Sequence, residues 1–187
     1  MRDSKVRDMT CIALMAAVIC ILGPLSIPIG PVPISLTNLA IFFTLYIIGM
    51  RRGLWSLAIY LLLGLVGMPV FSGFAGGPQK LFGPTGGYII GFIFMALIAG
   101  VIIDKHYKNR VLCIIAMVVA TIVLYILGTA WLAYSAHMTF QAALAVGVIP
   151  FAAEDFVKIL ICAILGPVLR ERLEKAGVLQ YRTAVSR

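Results

Sequence analysis

Charge is what this chain has little of: 12% of its 187 residues are Asp, Glu, Lys or Arg, about half the share usual in a soluble domain. Only seven residues are acidic and two are histidine, which leaves little from which to build a catalytic or metal-binding cluster. His106 and His137 stand far from any nucleophile or partner, so no hydrolytic or metal-ligand set is visible. The four cysteines (Cys11, Cys20, Cys113, Cys162) form no C-x-x-C pair and have no companion histidine at metal spacing. They read as small packing residues. A phosphate-binding G-x-x-x-x-G-K-[ST] loop is also missing, since Gly76-Gly77-Pro78-Gln79-Lys80 lacks its spacing. Nothing here hydrolyses ATP. No A-x-A-like site follows the first apolar stretch, and residues 9–22 are therefore expected to be an uncleaved first span.

What the chain does have is apolar residues, 62% of the total, with a mean hydropathy of +1.08. That excludes a soluble globular enzyme, a disordered chain and a nucleic-acid-binding module. The net charge of +8 reflects a few basic clusters between long runs free of Lys, Arg, Asp and Glu. Those runs cover residues 9–50, 53–79, 81–103 and 111–153, and a helix needs about 20 residues to cross the hydrocarbon core. Thirteen of the fifteen basic residues fall in four places: the N-terminal segment (Arg2, Lys5, Arg7), the Arg51-Arg52 pair, the 104–110 linker (Lys105, Lys108, Arg110), and the stretch after Leu169 (Arg170, Arg172, Lys175, Arg182, Arg187). Positive clusters stay in the cytoplasm, so each intervening segment must leave and return. The expectation is an all-α integral membrane protein, multi-pass in the cell membrane and bathed in lipid. It is a six-helix bundle with both termini cytoplasmic and spans near 9–22, 36–50, 53–66, 86–103, 111–133 and 150–170. One domain covers residues 1–187. Stretches with breaker or polar residues near 23–33, 67–87 and 134–150, the last with His137 and Gln141, mark the outer turns.

Four charged side chains lie within the membrane segments, all on the outer half: Lys80, Glu154, Asp155 and Lys158. Asp155 and Lys158 are three apart and share a helical face, whereas Glu154 is expected to point elsewhere. Intramembrane ionisable groups are costly and mark a substrate path or a relay; a structural pair locking the bundle is the alternative. The turn over residues 67–88 holds seven of the eighteen glycines, with Phe71, Phe74, Phe82 and Tyr88. Irregular apolar backbone of this kind is tolerated near a membrane only against protein or a ligand cavity, as a plain re-entrant cap or as a cavity wall. Pro28, Pro31 and Pro33 keep the first outer turn extended. Thr37 and Asn38, which follow it, are either helix caps or ligand contacts. Ala13, Ala16 and Ala17 on the first span form a smooth stripe that either packs inside the bundle or meets another helix.

These residues resemble a known family. Pro69-Val-Phe-Ser-Gly-Phe-Ala-Gly-Gly77 and Gly83-Pro-Thr-Gly-Gly-Tyr88, with Val32-Pro-Ile-Ser-Leu-Thr37 and Pro150-Phe-Ala-Ala-Glu-Asp-Phe-Val-Lys158, look like the BioY family. Its members are biotin-binding S components of energy-coupling factor (ECF) transporters. Ala13-x-x-x-Ala17 is similar to the motif with which S components meet their transmembrane coupling subunit. Two positions depart from the pattern: Glu154 stands where a Gly is expected, and Thr37-Asn38 stands where Gln-Thr is expected.

The resemblance implies a substrate-binding subunit for biotin uptake, not an enzyme, powered by a coupling subunit and two ATPase subunits. Biotin is the transported ligand; no cofactor, metal or nucleic acid is implied. Asp155, Lys158, Gln79, Thr85, Tyr88, Phe74 and Thr37 are the expected ligand contacts, and Ala13, Ala16 and Ala17 the coupling residues. An S component for another small vitamin, or a self-sufficient secondary transporter, is the alternative.

Overall fold

The computed structural model describes residues 2–28 and 31–177, with side chains from residue 5 onward. Ile29 and Gly30 of the proline turn, the Arg2 side chain, Arg182 and Arg187 lie outside the described residues. The chain forms α1 (Arg2–Leu22), a two-stranded antiparallel ribbon of β1 (Ser26–Ile27) and β2 (Ile34–Ser35), then α2 (Thr37–Leu65), α3 (Pro78–Phe82), α4 (Gly86–His106), α5 (Arg110–Ser135), α6 (Phe140–Gly147) and α7 (Ile149–Lys175). Pairing of Ser26 with Ser35 and Ile27 with Ile34 closes the proline turn, which the missing N–H groups of its prolines keep from becoming helix.

The two spans expected near 36–50 and 53–66 form a single element broken at one residue. Gly49 has φ 79° and ψ 169°, a conformation that a side chain makes costly. A Cβ built on Gly53 would lie 3.8 Å from the Cα of Leu45, although eight residues of continuous helix extend about 12 Å. The two arms therefore double back at Gly49. The Met50 N–H exposed by the break donates to Asp104 Oδ2 at 3.0 Å, which ties the corner to the end of α4. The second arm is held to α1 by Ser56 Oγ, which donates to the Ile12 carbonyl at 2.8 Å, and by an Arg52–Asp8 ion pair at 2.8 Å.

The core lies where α4 packs along α5 and α2, around the fully buried Phe42, Tyr46, Met95 and Met117. The outside is apolar too. Ile115, Val119, Ile122 and Ile126 form an exposed stripe along α5 at helical spacing, and Val157, Ile161, Ile164 and Val168 do the same on α7. Continuous apolar stripes of this extent belong against lipid, and the protein is a membrane protein. Among the described residues, α4, α5 and the two arms of α2 taken together have the length and apolarity to cross a bilayer. The other expected spans fall in helices less uniformly apolar: α1 begins among charged residues, and α7 carries Glu154, Asp155 and Lys158. Residues 134–150, expected as an outer turn, contain α6, whose N-cap Thr139 accepts a hydrogen bond from the Ala142 N–H.

Candidate functional site

The starts of α2, α4 and α7 meet the middle of α5 and the end of α6 around a cavity of ≈ 590 Å³, measured out to its open mouth. This is the end of the bundle remote from Arg52, Asp104 and Arg170. Fifteen residues of α7 separate Asp155 from Arg170, roughly 22 Å at about 1.5 Å per residue.

Each polar wall residue is placed by the fold. Asp155 and Lys158 face inward because Ile159, Cys162 and Gly166, one, two and three turns after Asp155, seat that face of α7 in the core. Asn38 lies in the first turn of α2, and its Nδ2 donates to Asp155 Oδ1 at 2.5 Å. From α5, Tyr125 Oη donates to Asp155 Oδ2 at 2.6 Å. Lys158 Nζ also donates to Asp155 Oδ1, at 3.2 Å. Both Asp155 oxygens are thus engaged within the protein. The β ribbon turns the Ser35 carbonyl toward Lys158 Nζ, which donates to it at 2.5 Å, with Asn38 Oδ1 at 3.4 Å and Glu154 Oε2 at 2.7 Å. Fixed donors and acceptors of this kind supply orientation within an otherwise apolar pocket.

The remaining wall is mostly aromatic and aliphatic. Phe71, 1% exposed, meets Tyr60 edge-on with ring centroids 5.4 Å apart; Phe92 and Phe151 add further rings. Tyr88 is pinned where its Oη donates to the Gly147 carbonyl at 3.0 Å. Thr85 Oγ1 is buried and has no hydrogen-bond partner among the described residues, so the cavity wall retains an unused hydroxyl.

Of the expected contacts, Thr37, Thr85, Tyr88, Asp155 and Lys158 line the cavity. Gln79 and Phe74 are exposed and are not among the lining residues. A positive φ of 56° at Phe74 accompanies a ring that is 65% exposed, and the loop's aromatic in the wall is Phe71. Lys80, in the short α3, is also outside the cavity wall; burial lowers the pKa of its ammonium by disfavouring the charged form. The expectation that Glu154 points elsewhere is corrected. Its long side chain reaches Lys158 at i,i+4 spacing and lines the cavity. Tyr125 was missed; its only sequence signal is a phenol within a long apolar run. The alanine stripe divides in the structure, with Ala16 buried and Ala13 and Ala17 exposed.

A family model described as the BioY family matches residues 1–175. This chain belongs to the BioY family. It is similar to the biotin transporter BioY2 of Lactococcus lactis subsp. cremoris (strain MG1363), 36% identical over 166 residues, which cover 89% of this chain and 91% of that protein. The biotin transporter BioY of Thermotoga maritima is 36% identical over 160 residues, 85% of this chain and 93% of its own. Among solved structures, the S-component for biotin from an ECF-type ABC transporter matches with a TM-score of 0.84 at 31% identity, covering 91% of this chain and 94% of that one. The BioY match runs through every element that frames the cavity, to the end of α7.

Proposed function

We propose that this chain captures biotin on the outer side of the cell membrane as the S component of an ECF transporter, without an ATPase of its own. A coupling subunit and two ATPase subunits supply the energy. In this reading α1, the two arms of α2, α4, α5 and α7 are six passes of one multi-pass domain. Both termini are cytoplasmic, because that orientation keeps the basic clusters inside and turns the cavity outward.

The observation that carries the reading is a fixed Asp155–Lys158 pair in one wall of a cavity whose other walls are largely aromatic and apolar. Biotin offers the complement: an apolar ring body, a ureido group rich in hydrogen-bonding atoms, and a carboxylate. The family relationship to proteins named biotin transporters supports the same ligand. Purified chain analysed by mass spectrometry is expected to carry co-purified biotin; a different vitamin in its place would keep the transporter class and reject the ligand.

The unused Thr85 hydroxyl gives a sharper test. Thr85→Val removes a buried polar atom that has no hydrogen-bond partner among the described residues, so the thermal midpoint measured without biotin should hold or rise. Biotin affinity should fall by roughly 2- to 12-fold, the worth of one hydrogen bond at about 0.5–1.5 kcal/mol. Equal biotin binding by both proteins would leave Thr85 outside the ligand contacts.

Coupling is assigned to the outward face of α1. Ala17→Trp should leave biotin binding intact yet abolish uptake when the coupling and ATPase subunits are present, since a large ring blocks close helix approach. Ala16→Trp should instead weaken binding as well, because overpacking a core costs about 1–3 kcal/mol. Unchanged uptake by Ala17→Trp would reject the docking role.

A further inference from the structure

The ammonium of Lys158 is surrounded by the protein's own oxygens. Its neighbours are the Ser35 carbonyl, Asn38 Oδ1, Asp155 Oδ1 and Glu154 Oε2, and an ammonium has three protons to give. Three of these acceptors are built into the wall. Ser35 is held by the β ribbon, while Asn38 and Asp155 bond each other, and Asp155 also bonds Tyr125. Glu154 is different. Its side chain is 25% exposed against 8% for both Asp155 and Lys158, and Lys158 is the one hydrogen-bond or ion-pair partner shown for its carboxylate among the described residues. It nevertheless makes the shorter of the two ion pairs to Lys158, 2.7 Å against 3.2 Å.

The charges around the cavity make this arrangement consequential. Among its lining residues, two carboxylates, Glu154 and Asp155, face one ammonium, Lys158. An anionic ligand brings a third negative group to a site with one cation. Asp155 cannot yield without releasing Asn38 and Tyr125; Glu154 can swing toward solvent.

We propose that Glu154 is a specificity-determining residue of this chain: a resident counter-anion that occupies the cavity-facing side of Lys158 and is displaced by the ligand's carboxylate. The inference rests on the reading of the site as one for biotin, and deepens it by assigning the carboxylate end of the ligand to Lys158. Glu154 sets how strongly the cavity prefers an acid over a neutral analogue of the same shape, because every carboxylate must compete with one already in place. Converting Glu154 to an uncharged group therefore favours the acid. Glutamine keeps the length of the side chain and an oxygen for Lys158, but not the charge.

The test compares biotin with biotin methyl ester, which has the same ring system and no anionic tail, by calorimetry on the purified chain and on Glu154→Gln and Glu154→Gly. The ratio of biotin affinity to ester affinity should rise about tenfold or more in both variants, the scale expected when one close like charge is removed from a partly buried site. An unchanged ratio in protein that binds both ligands overturns the inference and leaves the biotin reading standing. Failure of the unaltered chain to bind either ligand overturns both together. A structure of the unaltered chain with biotin bound gives a second readout that needs no variant. Glu154 should have moved beyond about 4 Å from Lys158, the limit of an ion pair; persistence of the Glu154–Lys158 pair overturns the displacement.

Discussion

Asp155→Asn should weaken biotin binding by roughly 30-fold to several-thousand-fold. The carboxylate receives Asn38 Nδ2 and Lys158 Nζ on one oxygen and Tyr125 Oη on the other. An amide replaces one of those acceptors with a donor and removes the charge that balances Lys158. Either the amide nitrogen faces Asn38 and Lys158, donor against donor, or it faces Tyr125, whose hydroxyl must then rotate. Breaking one member of a buried charged pair costs about 2–5 kcal/mol, and each tenfold in affinity is about 1.4 kcal/mol. Calorimetric or fluorescence titration of the purified variant reads the loss. Since Asp155 acts by holding Lys158, Asn38 and Tyr125 in place, Tyr125→Phe should fall in the same direction by a smaller factor. An Asp155→Asn protein that folds and binds like the unaltered chain would make the pair a lock for the bundle with no part in the ligand site.

Gly86→Ala should be the most damaging single methyl group near the site. A Cβ at this position would run into the Leu81 carbonyl and stand 3.1 Å from Trp131 Nε1. The obstacle is backbone, and Trp131 cannot retreat freely because its Nε1 donates to the Gly83 carbonyl at 2.9 Å. The turn over residues 83–86 opens α4, with the Gly86 N–H donating to Gly83 at 3.0 Å. Displacing it moves Thr85 and Tyr88 out of the cavity wall. Overpacking costs about 1–3 kcal/mol when side chains can adjust, and an obstructing carbonyl puts this case at the upper end or beyond. The expected result is a lowered thermal midpoint in detergent together with weakened biotin binding. An unchanged midpoint would mean the turn has slack that the packing around Leu81 and Trp131 does not suggest.

The parts of the site legible in the sequence were those with an energetic cost attached. Asp155 and Lys158 are charged groups deep in an apolar run, where an unexplained charge is expensive, and their spacing fixes a shared face. Asn38 could be named as a polar residue at the start of a helix, but its partner Asp155 lies 117 positions away, a distance that no local pattern spans. Tyr125 was hidden for the opposite reason. Its ring suits an apolar span, and only the bond from its hydroxyl to Asp155 distinguishes it from a core aromatic. Glu154 was misplaced by treating a helical face as a direction alone; an extended side chain sweeps far enough to reach a lysine one turn on. Gly49 shows the same limit in the fold: Arg51-Arg52 located the reversal to within a few residues, while the sharp corner depends on one glycine conformation. In the last outer turn, Thr139 followed by an apolar stretch is a helix start that the polar His137 and Gln141 on either side obscure.

The central claim is that this cavity is a biotin site complete within one chain. Titrating the purified chain with biotin by calorimetry, with no ATP, metal or other subunit present, tests it most directly. One site of nanomolar or tighter affinity is predicted, since scavenging a scarce vitamin requires binding of about −12 kcal/mol or better. No heat with biotin, alongside saturable binding of a different vitamin by the same preparation, would contradict it.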